Sequence, residues 1–287
     1  MSPMQQERHI LVLGASGKLG RMLRRFWRRS PPAGLTAHWQ YREIPHGEGV
    51  LWRPGDPPPS GMPKIDAILA LWGVTPGPGR DLAENSRLAI AAMELGAALG
   101  AERVLHCSSA AVYEPGPDPL DETRAGGAIN AYGAAKLAME AAVAGWVGAH
   151  PKGPGACSMR IANVVGADSL FAGIARGDGT ITLDRFADGV GPWRSYVTIP
   201  ALARVAGALV TCQAGDVPDI VNVALPGPYA MEALARAAGC RIDWCEARPG
   251  AAPMVNLSTA RLDRLIRLDH DRPEDIIAGW RVLEGDA

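Results

Sequence analysis

The sequence predicts an α/β fold in which a doubly wound parallel sheet is joined by a small C-terminal lobe. Short apolar runs alternate with longer segments of helical period from residue 9 to about residue 162, the pattern of a sheet flanked by helices. Three glycines stand where the first run turns into the first helix, and the regular alternation breaks up after Gly166. With 287 residues, 47% hydrophobic and 21% charged, the chain has enough apolar material for one large, well-buried domain.

Residues 9–13 are the first strand. Residues 17–29 follow as a helix because Leu19, Met22, Leu23, Phe26 and Trp27 recur every three or four positions. Its other face carries Arg21, Arg24, Arg25, Arg28 and Arg29 and reads as solvated. Residues 35–41, 49–52 and 65–72 are the second to fourth strands. The intervening GDPPPSGMPK is too rich in Pro and Gly for a helix, so the crossover helix is lost or reduced there. Residues 81–99 form an Ala- and Leu-rich helix, 103–107 a strand, 131–147 a helix rich in small residues and 157–162 a strand. Beyond Gly166, helices at 199–211 and 230–238 and a strand at 220–223 stand among loops rich in Gly and Asp. Residues 1–165 are therefore the core, and 166–287 mainly a lobe integrated with it as one domain.

The charge balance, 29 basic against 30 acidic residues for a net −1, offers no field for nucleic acid or an anionic membrane, which leaves a small molecule as partner. Apolar stretches stop after about eight residues, short of the roughly 20 a bilayer span needs. MSPMQQERH lacks the apolar core of a targeting segment, so a cytoplasmic location is expected. Cys107, Cys157, Cys212, Cys240 and Cys245 form no CxxC pair and read as reduced thiols, with Cys240 and Cys245 the only two near enough to meet across a turn. His9, His38, His46, His106, His150 and His270 lack ligand spacing, so no metal is expected.

ILVLGASGKLG places Gly14, Gly17 and Gly20 between a strand and a helix whose first N–H groups face a pyrophosphate. Ser16, Lys18 and Leu19 fall in the same turn and join the glycines as candidate cofactor contacts. HCSSAAVY ends a buried strand at Ser109, and AYGAAK sets Tyr132 and Lys136 four apart, on one face of a helix. A neighbouring ammonium favours a phenolate and should depress the Tyr132 pKa from its ordinary value of about 10. Tyr132 then exchanges a proton with a substrate hydroxyl while hydride passes to or from a nicotinamide, and Ser109 orients the same oxygen.

Together with DAILALWG, ENSRLAIAAMELGAALG, MRIANVVG and PWRSYVTIPALARV, in that order along the chain, these motifs resemble the extended branch of the short-chain dehydrogenase/reductase superfamily, the NAD-dependent epimerase/dehydratase family. The resemblance implies a Rossmann-type fold and an enzyme with Tyr132 as catalytic acid/base. It assigns Lys136 to the nicotinamide ribose and to tuning Tyr132, and Ser109 to the substrate. Asn85 would hold the active-site wall beside the cofactor, Trp72 and Gly73 would stand near the cofactor, and Asn163 and Arg194 would face the substrate. Arg194 has an ion pair with a nearby Asp as its other use. The segment 166–193 is shorter than one that cradles a nucleotide, which makes a nucleotide sugar doubtful. A dehydrogenase or reductase of a small sugar-like or polar hydroxyl or carbonyl compound leads, with an epimerase/dehydratase or a dinucleotide-sensing regulator as alternatives. The resemblance also implies a homodimer through the helices 81–99 and 131–147. Because the second strand ends in Gln40, Tyr41 and Arg42, with no carboxylate until Glu43, NADP is expected ahead of NAD. Arg42 would pair with the 2′-phosphate, Tyr41 or the guanidinium would cover the adenine, and Lys18 would add charge nearby.

Overall fold

The computed structural model describes residues 7–43, 49–116, 118–124, 126–128 and 130–285; the N-terminal residues 1–6, on which the expected absence of a targeting segment rests, and His46 lie outside them. The first half runs β1 (Arg8–Leu13), α1 (Lys18–Arg29), β2 (Leu35–Tyr41), β3 (Val50–Leu51), β4 (Ala67–Ala70), α2 (Glu84–Leu99), β5 (Arg103–Ser109), α3 (Ala131–Ala149) and β6 (Gly155–Ile161). Then come β7 (Asn163–Val164), α4 (Ser169–Ala175), β8 (Thr180–Arg185), β9 (Trp193–Arg194), β10 (Tyr196–Val197), α5 (Ile199–Thr211), β11 (Ile220–Val223), β12 (Tyr229–Ala230), α6 (Met231–Ala237), β13 (Arg241–Glu246), β14 (Met254–Val255) and α7 (Pro273–Glu284).

Seven strands make the central sheet in the order β3-β2-β1-β4-β5-β6-β11, with every pair parallel. This is the Rossmann-type doubly wound arrangement. A strand covered on both faces must be apolar throughout, and β1 shows how: Ile10 and Val12 join one core, Leu11 and Leu13 the other. The first core is closed by α1, α5 and α7 through Leu23, Trp27, Leu202, Leu209, Ile276 and Trp280. The second is closed by α2 and α3 through Ala89, Met93, Met139 and Val143. Each fully buried Leu or Ile side chain contributes about 1.5–3 kcal/mol.

Residues 52–66 join β3 to β4 without a helix, as the proline-rich segment requires, and Trp52, Met62 and Ile65 pack on the sheet in its place. Because β1 and β4 are neighbours while the chain winds outward from them in both directions, a crevice opens beyond their carboxyl ends.

The lobe is interleaved with this core, since β11 extends the central sheet beside β6. Its own pieces are the parallel pair β8–β13, the three-stranded β12-β9-β14 and the pair β10–β7. These and α4 and α7 were not foreseen; strands of two residues are too short to show a period. A signal for α7 existed, because Pro273 sits in its first turn with Glu274 and Asp275.

The arginine face of α1 is also not simply solvated. Arg25 donates to the Leu283 carbonyl at 2.8 Å and Arg29 to that of Val282 at 3.3 Å, closing carbonyls that the last turn of α7 leaves open. All five cysteines are free thiols. Cys240 immediately precedes β13 and Cys245 lies within it, so extended chain at about 3.3 Å per residue keeps them apart. Among the described residues no helix is long and apolar enough to cross a membrane, and no cluster of three metal-ligand side chains occurs.

His106, buried on β5 with a ring nitrogen 3.2 Å from Met93 Sδ, has its pKa pushed down to about 3, by burial first and then by the Lys136 charge. Neutral in the fold, it protonates below about 6.5 in the unfolded chain, so the unfolded state binds more protons and stability falls as pH drops. Between pH 6.5 and 5 this withdraws about 2 kcal/mol. Denaturant unfolding at pH 7 and pH 5 should therefore show a difference smaller by about that amount in His106→Leu; an unchanged difference would mean the imidazole titrates normally.

Candidate active site

The turn from β1 into α1 is shaped by close backbone packing. Gly14 has φ +85°, and a Cβ there would lie 2.9 Å from the backbone nitrogen and Cβ of Trp72. A Cβ at Gly20 would overlap the Gly14 carbonyl, and the Gly17 N–H donates to that carbonyl at 2.9 Å. Gly17 is the N-cap of α1, with no side chain capping it. The first-turn N–H groups of Lys18, Leu19 and Gly20 are therefore left without a side-chain cap, as donors that suit an anion. Ser16 and Lys18 are exposed, and Leu19 leans its side chain on the core.

Trp72 walls this turn and stacks on Trp52 at 5.8 Å, while its Nε1 is buried with no partner among the described residues. A cradle that any Cβ would fill, beside an open buried donor, fits a dinucleotide pyrophosphate. Gly73 belongs to the same cradle, because a Cβ there would stand 2.9 Å from Asn85 Oδ1 and 3.3 Å from Lys136 Nζ. Buried Asn85 clamps the loop, accepting from the Val74 N–H at 3.1 Å and donating to its carbonyl at 2.9 Å. Its amide thus positions the wall.

The end of β2 is as expected, and its residues divide. Gln40 is buried beneath the glycine turn, accepting from the Gly14 N–H at 2.9 Å and donating to the Trp52 carbonyl. Tyr41 is also buried, with Arg24 bonded to its hydroxyl, so it is not free to cover an adenine. Arg42 is exposed, and its guanidinium has no partner among the described residues. Glu43, with 91% of its side chain exposed, lies 3.8 Å from Arg53. Lys18 does not add charge here: its Nζ donates to the Ala167 carbonyl at 2.9 Å, on the lobe side of the crevice.

Ser109, Tyr132 and Lys136 converge where β5 meets α3. A Cβ at Gly133 would overlap the Ala111 carbonyl, so the first turn of α3 sits directly on the 3-10 turn that follows Ser109. Lys136 Nζ donates to the Cys107 carbonyl at 2.8 Å and stands 5.8 Å from the centre of the Tyr132 ring. Burial lowers the Lys136 pKa. The Tyr132 pKa runs opposite to expectation, pushed up to about 12 by burial first and by Cys107 next, with the Ser109 hydrogen bond opposing them. The ammonium is turned to a carbonyl and not to the phenol, so desolvation wins.

A buried network unforeseen from the sequence holds this site. Glu140, one turn beyond Lys136, pairs with Arg160 of β6 at 2.8 Å and accepts from the Ser108 hydroxyl. Arg160 donates to the Tyr113 hydroxyl at 2.9 Å, which donates to Asn222 of β11 at 2.8 Å. The i, i+4, i+8 series Tyr132, Lys136, Glu140 was the available signal.

The two expected substrate contacts are engaged internally. Asn163 donates to Asp168 at 3.0 Å, and Asp168 also accepts from the Tyr196 hydroxyl at 2.9 Å. Arg194 forms no ion pair with an Asp among the described residues; it donates to the carbonyls of Trp193 at 2.7 Å, Ala252 at 2.9 Å and Pro253 at 3.4 Å. Burial lowers its pKa.

The model of the NAD dependent epimerase/dehydratase family matches residues 66–224, a segment that holds Asn85, Ser109, Tyr132, Lys136, Asn163 and Arg194. No curated protein matches the chain by sequence. Among solved structures, an NAD-dependent NDP-hexosamine 5,6-dehydratase of tunicamycin biosynthesis superposes with TM-score 0.75 at 18% identity, covering 98% of each chain. UDP-N-acetylglucosamine 4-epimerase from Bacillus cereus gives TM-score 0.75 at 15% identity, over 98% of this chain and 97% of that one. A short-chain dehydrogenase/reductase superfamily protein from Agrobacterium tumefaciens with bound NAD gives 0.74 at 17% identity, over 97% and 98%. At such identities the likeness establishes the fold.

Proposed function

This chain belongs to the NAD-dependent epimerase/dehydratase family, and we propose that within it the protein is an NAD(P)-dependent oxidoreductase acting on a hydroxyl or carbonyl group of a small substrate. The convergence of Ser109, Tyr132 and Lys136 on one turn carries this reading. When bound, the nicotinamide supplies or accepts the hydride. Gly14, Gly17 and Gly20 with the first-turn N–H groups of α1 would hold its pyrophosphate, and Lys136 beside Gly73 its ribose. A phenol whose pKa lies near 12 is protonated at neutral pH, which suits Tyr132 to give a proton to a carbonyl oxygen as hydride arrives. Ser109, near enough to Tyr132 to oppose the rise in its pKa and accepting from the Ala111 N–H at 3.2 Å, would orient that oxygen. The lobe would supply the substrate wall, and the five free thiols suit the reducing cytoplasm.

The names of the neighbours favour a second reading, an epimerase or dehydratase of a nucleotide sugar with no net change of cofactor. Accumulation of reduced or oxidised nicotinamide at 340 nm during turnover separates the two. Under either, Tyr132→Phe should lower kcat at least a hundredfold while dinucleotide affinity stays within a few-fold. Lys136→Ala should weaken both. Full activity in Tyr132→Phe would remove the proton-transfer role.

We also place NADP ahead of NAD. Gln40 is spent on the glycine turn, Glu43 is drawn toward Arg53, and Arg42 is left without a partner among the described residues at the end of β2, open to a 2′-phosphate. The neighbours with a named cofactor hold NAD, so the preference rests on these residues. Titration with both dinucleotides should give at least tenfold tighter NADP binding, about 1.4 kcal/mol, and Arg42→Ala should erase the difference; equal or tighter NAD binding in the parent would refute it.

A homodimer through α2 and α3 completes the proposal. The outer face of α3 exposes Ala134, Ala138, Ala141 and Gly145, small enough for a twin helix to approach across a two-fold axis. Light scattering at micromolar concentration should give twice the 30.2 kDa chain mass, and a monomer would exclude the arrangement.

A further inference from the structure

Five residues beyond Ser109 the chain enters the wall of a cleft of about 630 Å³, a volume suited to a small molecule. One wall is residues 114–116, which follow Ser109 through the 3-10 turn Ala110–Val112 that also seats the first turn of α3. The lobe supplies apolar surface opposite through Phe186, Val190, Trp193 and Met254. Two charged residues line the cleft, Glu114 and Asp188, both exposed, and neither Lys nor Arg does. Three neighbouring arginines have other partners. Both terminal nitrogens of Arg194 bond backbone carbonyls, Arg185 lies 5.3 Å over the Trp244 ring with its Nε on the Gly189 carbonyl, and Arg124 pairs with Asp118 at 3.4 Å. A diphosphate entering here would meet two carboxylates and no Lys or Arg among the described lining residues, and like charges in a half-enclosed cleft repel.

We infer that this cleft takes the apolar body of an alcohol or ketone that is neutral or cationic and carries no phosphate. Its conversion rests on the Tyr132 chemistry proposed above, whereas its binding does not. Trp193 and Phe186 supply flat apolar area, and Glu114 and Asp188 set the sign of charge the cleft admits.

A matched pair of fluorescent probes tests this. N-phenyl-1-naphthylamine and 8-anilino-1-naphthalenesulfonate share one aromatic body and differ by a single anionic group. The neutral probe should bind the full chain at least tenfold tighter than the sulfonate, and millimolar UDP or UDP-glucose should not displace it. Trp193→Ala should weaken the neutral probe at least fivefold; Val190→Asp, at a position 46% exposed, should do the same and serves if the first variant does not fold. Glu114→Gln combined with Asp188→Asn should bring the two probes within threefold of each other. Equal binding of both probes, displacement by micromolar UDP, or a ratio unmoved in the double variant would overturn the inference. Dinucleotide titration in parallel keeps the two proposals apart: probe results as expected with no dinucleotide binding would sink the oxidoreductase reading alone, and the reverse would sink only the substrate class.

Discussion

The ion pair between Glu140 and Arg160 fixes the geometry on which the candidate site depends. Both side chains are almost wholly buried, at 7% and 5% exposure, so neither charge has water to fall back on. Such a pair stabilises little by itself, yet removing one partner leaves a buried charge uncompensated at a cost of about 3–5 kcal/mol. Here every member has further partners: Ser108 on Glu140, Tyr113 on Arg160, and Asn222 on Tyr113. Asn222 in turn donates through its amide to the Leu120 and Ser258 carbonyls and through its backbone N–H to the Glu122 carboxylate. One helix, three adjacent strands and two loops are thereby tied at a single point. Because Lys136 lies one turn before Glu140 on the same face of α3, the pair also sets the rotation of that helix, and with it the ammonium on the Cys107 carbonyl.

At the other side of the crevice the constraint is steric. Strands β1 and β4 are direct neighbours, so the turn after β1 and the loop after β4 must pass one another. They pass closely enough that Gly14 and Trp72 leave no room for a Cβ between them. Gln40 secures the arrangement from below with both ends of its amide. A carboxylate at that position would accept from Gly14 but could not donate to the Trp52 carbonyl. The bracing of the turn therefore accounts for a neutral amide there, independently of any ligand.

The central sheet was legible because its strands are continuous apolar runs and its first helices have a clear period, as in ILVL and in Leu19, Met22, Leu23, Phe26 and Trp27. Even the missing helix between β3 and β4 was legible, since prolines remove donors and leave a local mark. Ser109, Tyr132 and Lys136 were found as a motif, and the structure brings them to one turn. What the motif did not carry was the balance of terms at Tyr132. Proximity of Lys136 suggested a lowered pKa, but the direction depends on burial and on where the ammonium donates, both set by tertiary packing. Arg194, Lys18 and Tyr41 show the same dependence on tertiary packing. Each is a side chain whose chemistry suits a ligand, and each is claimed by a partner remote in sequence: the 252–253 backbone, the Ala167 carbonyl, and Arg24. Glu140 was missed although it continues the spacing of Tyr132 and Lys136, because a lone Glu on a helix ordinarily faces water.

Two arginines show how far residue type alone misleads about recognition. Arg42 and Arg194 both stand at the end of a strand, and both have the fork geometry that suits phosphate. Arg194 is desolvated, and its terminal nitrogens donate to backbone carbonyls of the lobe. To turn toward a phosphate it would have to release those bonds. Arg42 has no such debt: it is exposed, without a partner among the described residues, beside a turn whose N–H groups already favour anions. On the proposed reading, a phosphate is therefore met at the glycine-turn end of the crevice. The far end, with its arginine turned inward and carboxylates at the cleft, is left to select by shape and apolar contact.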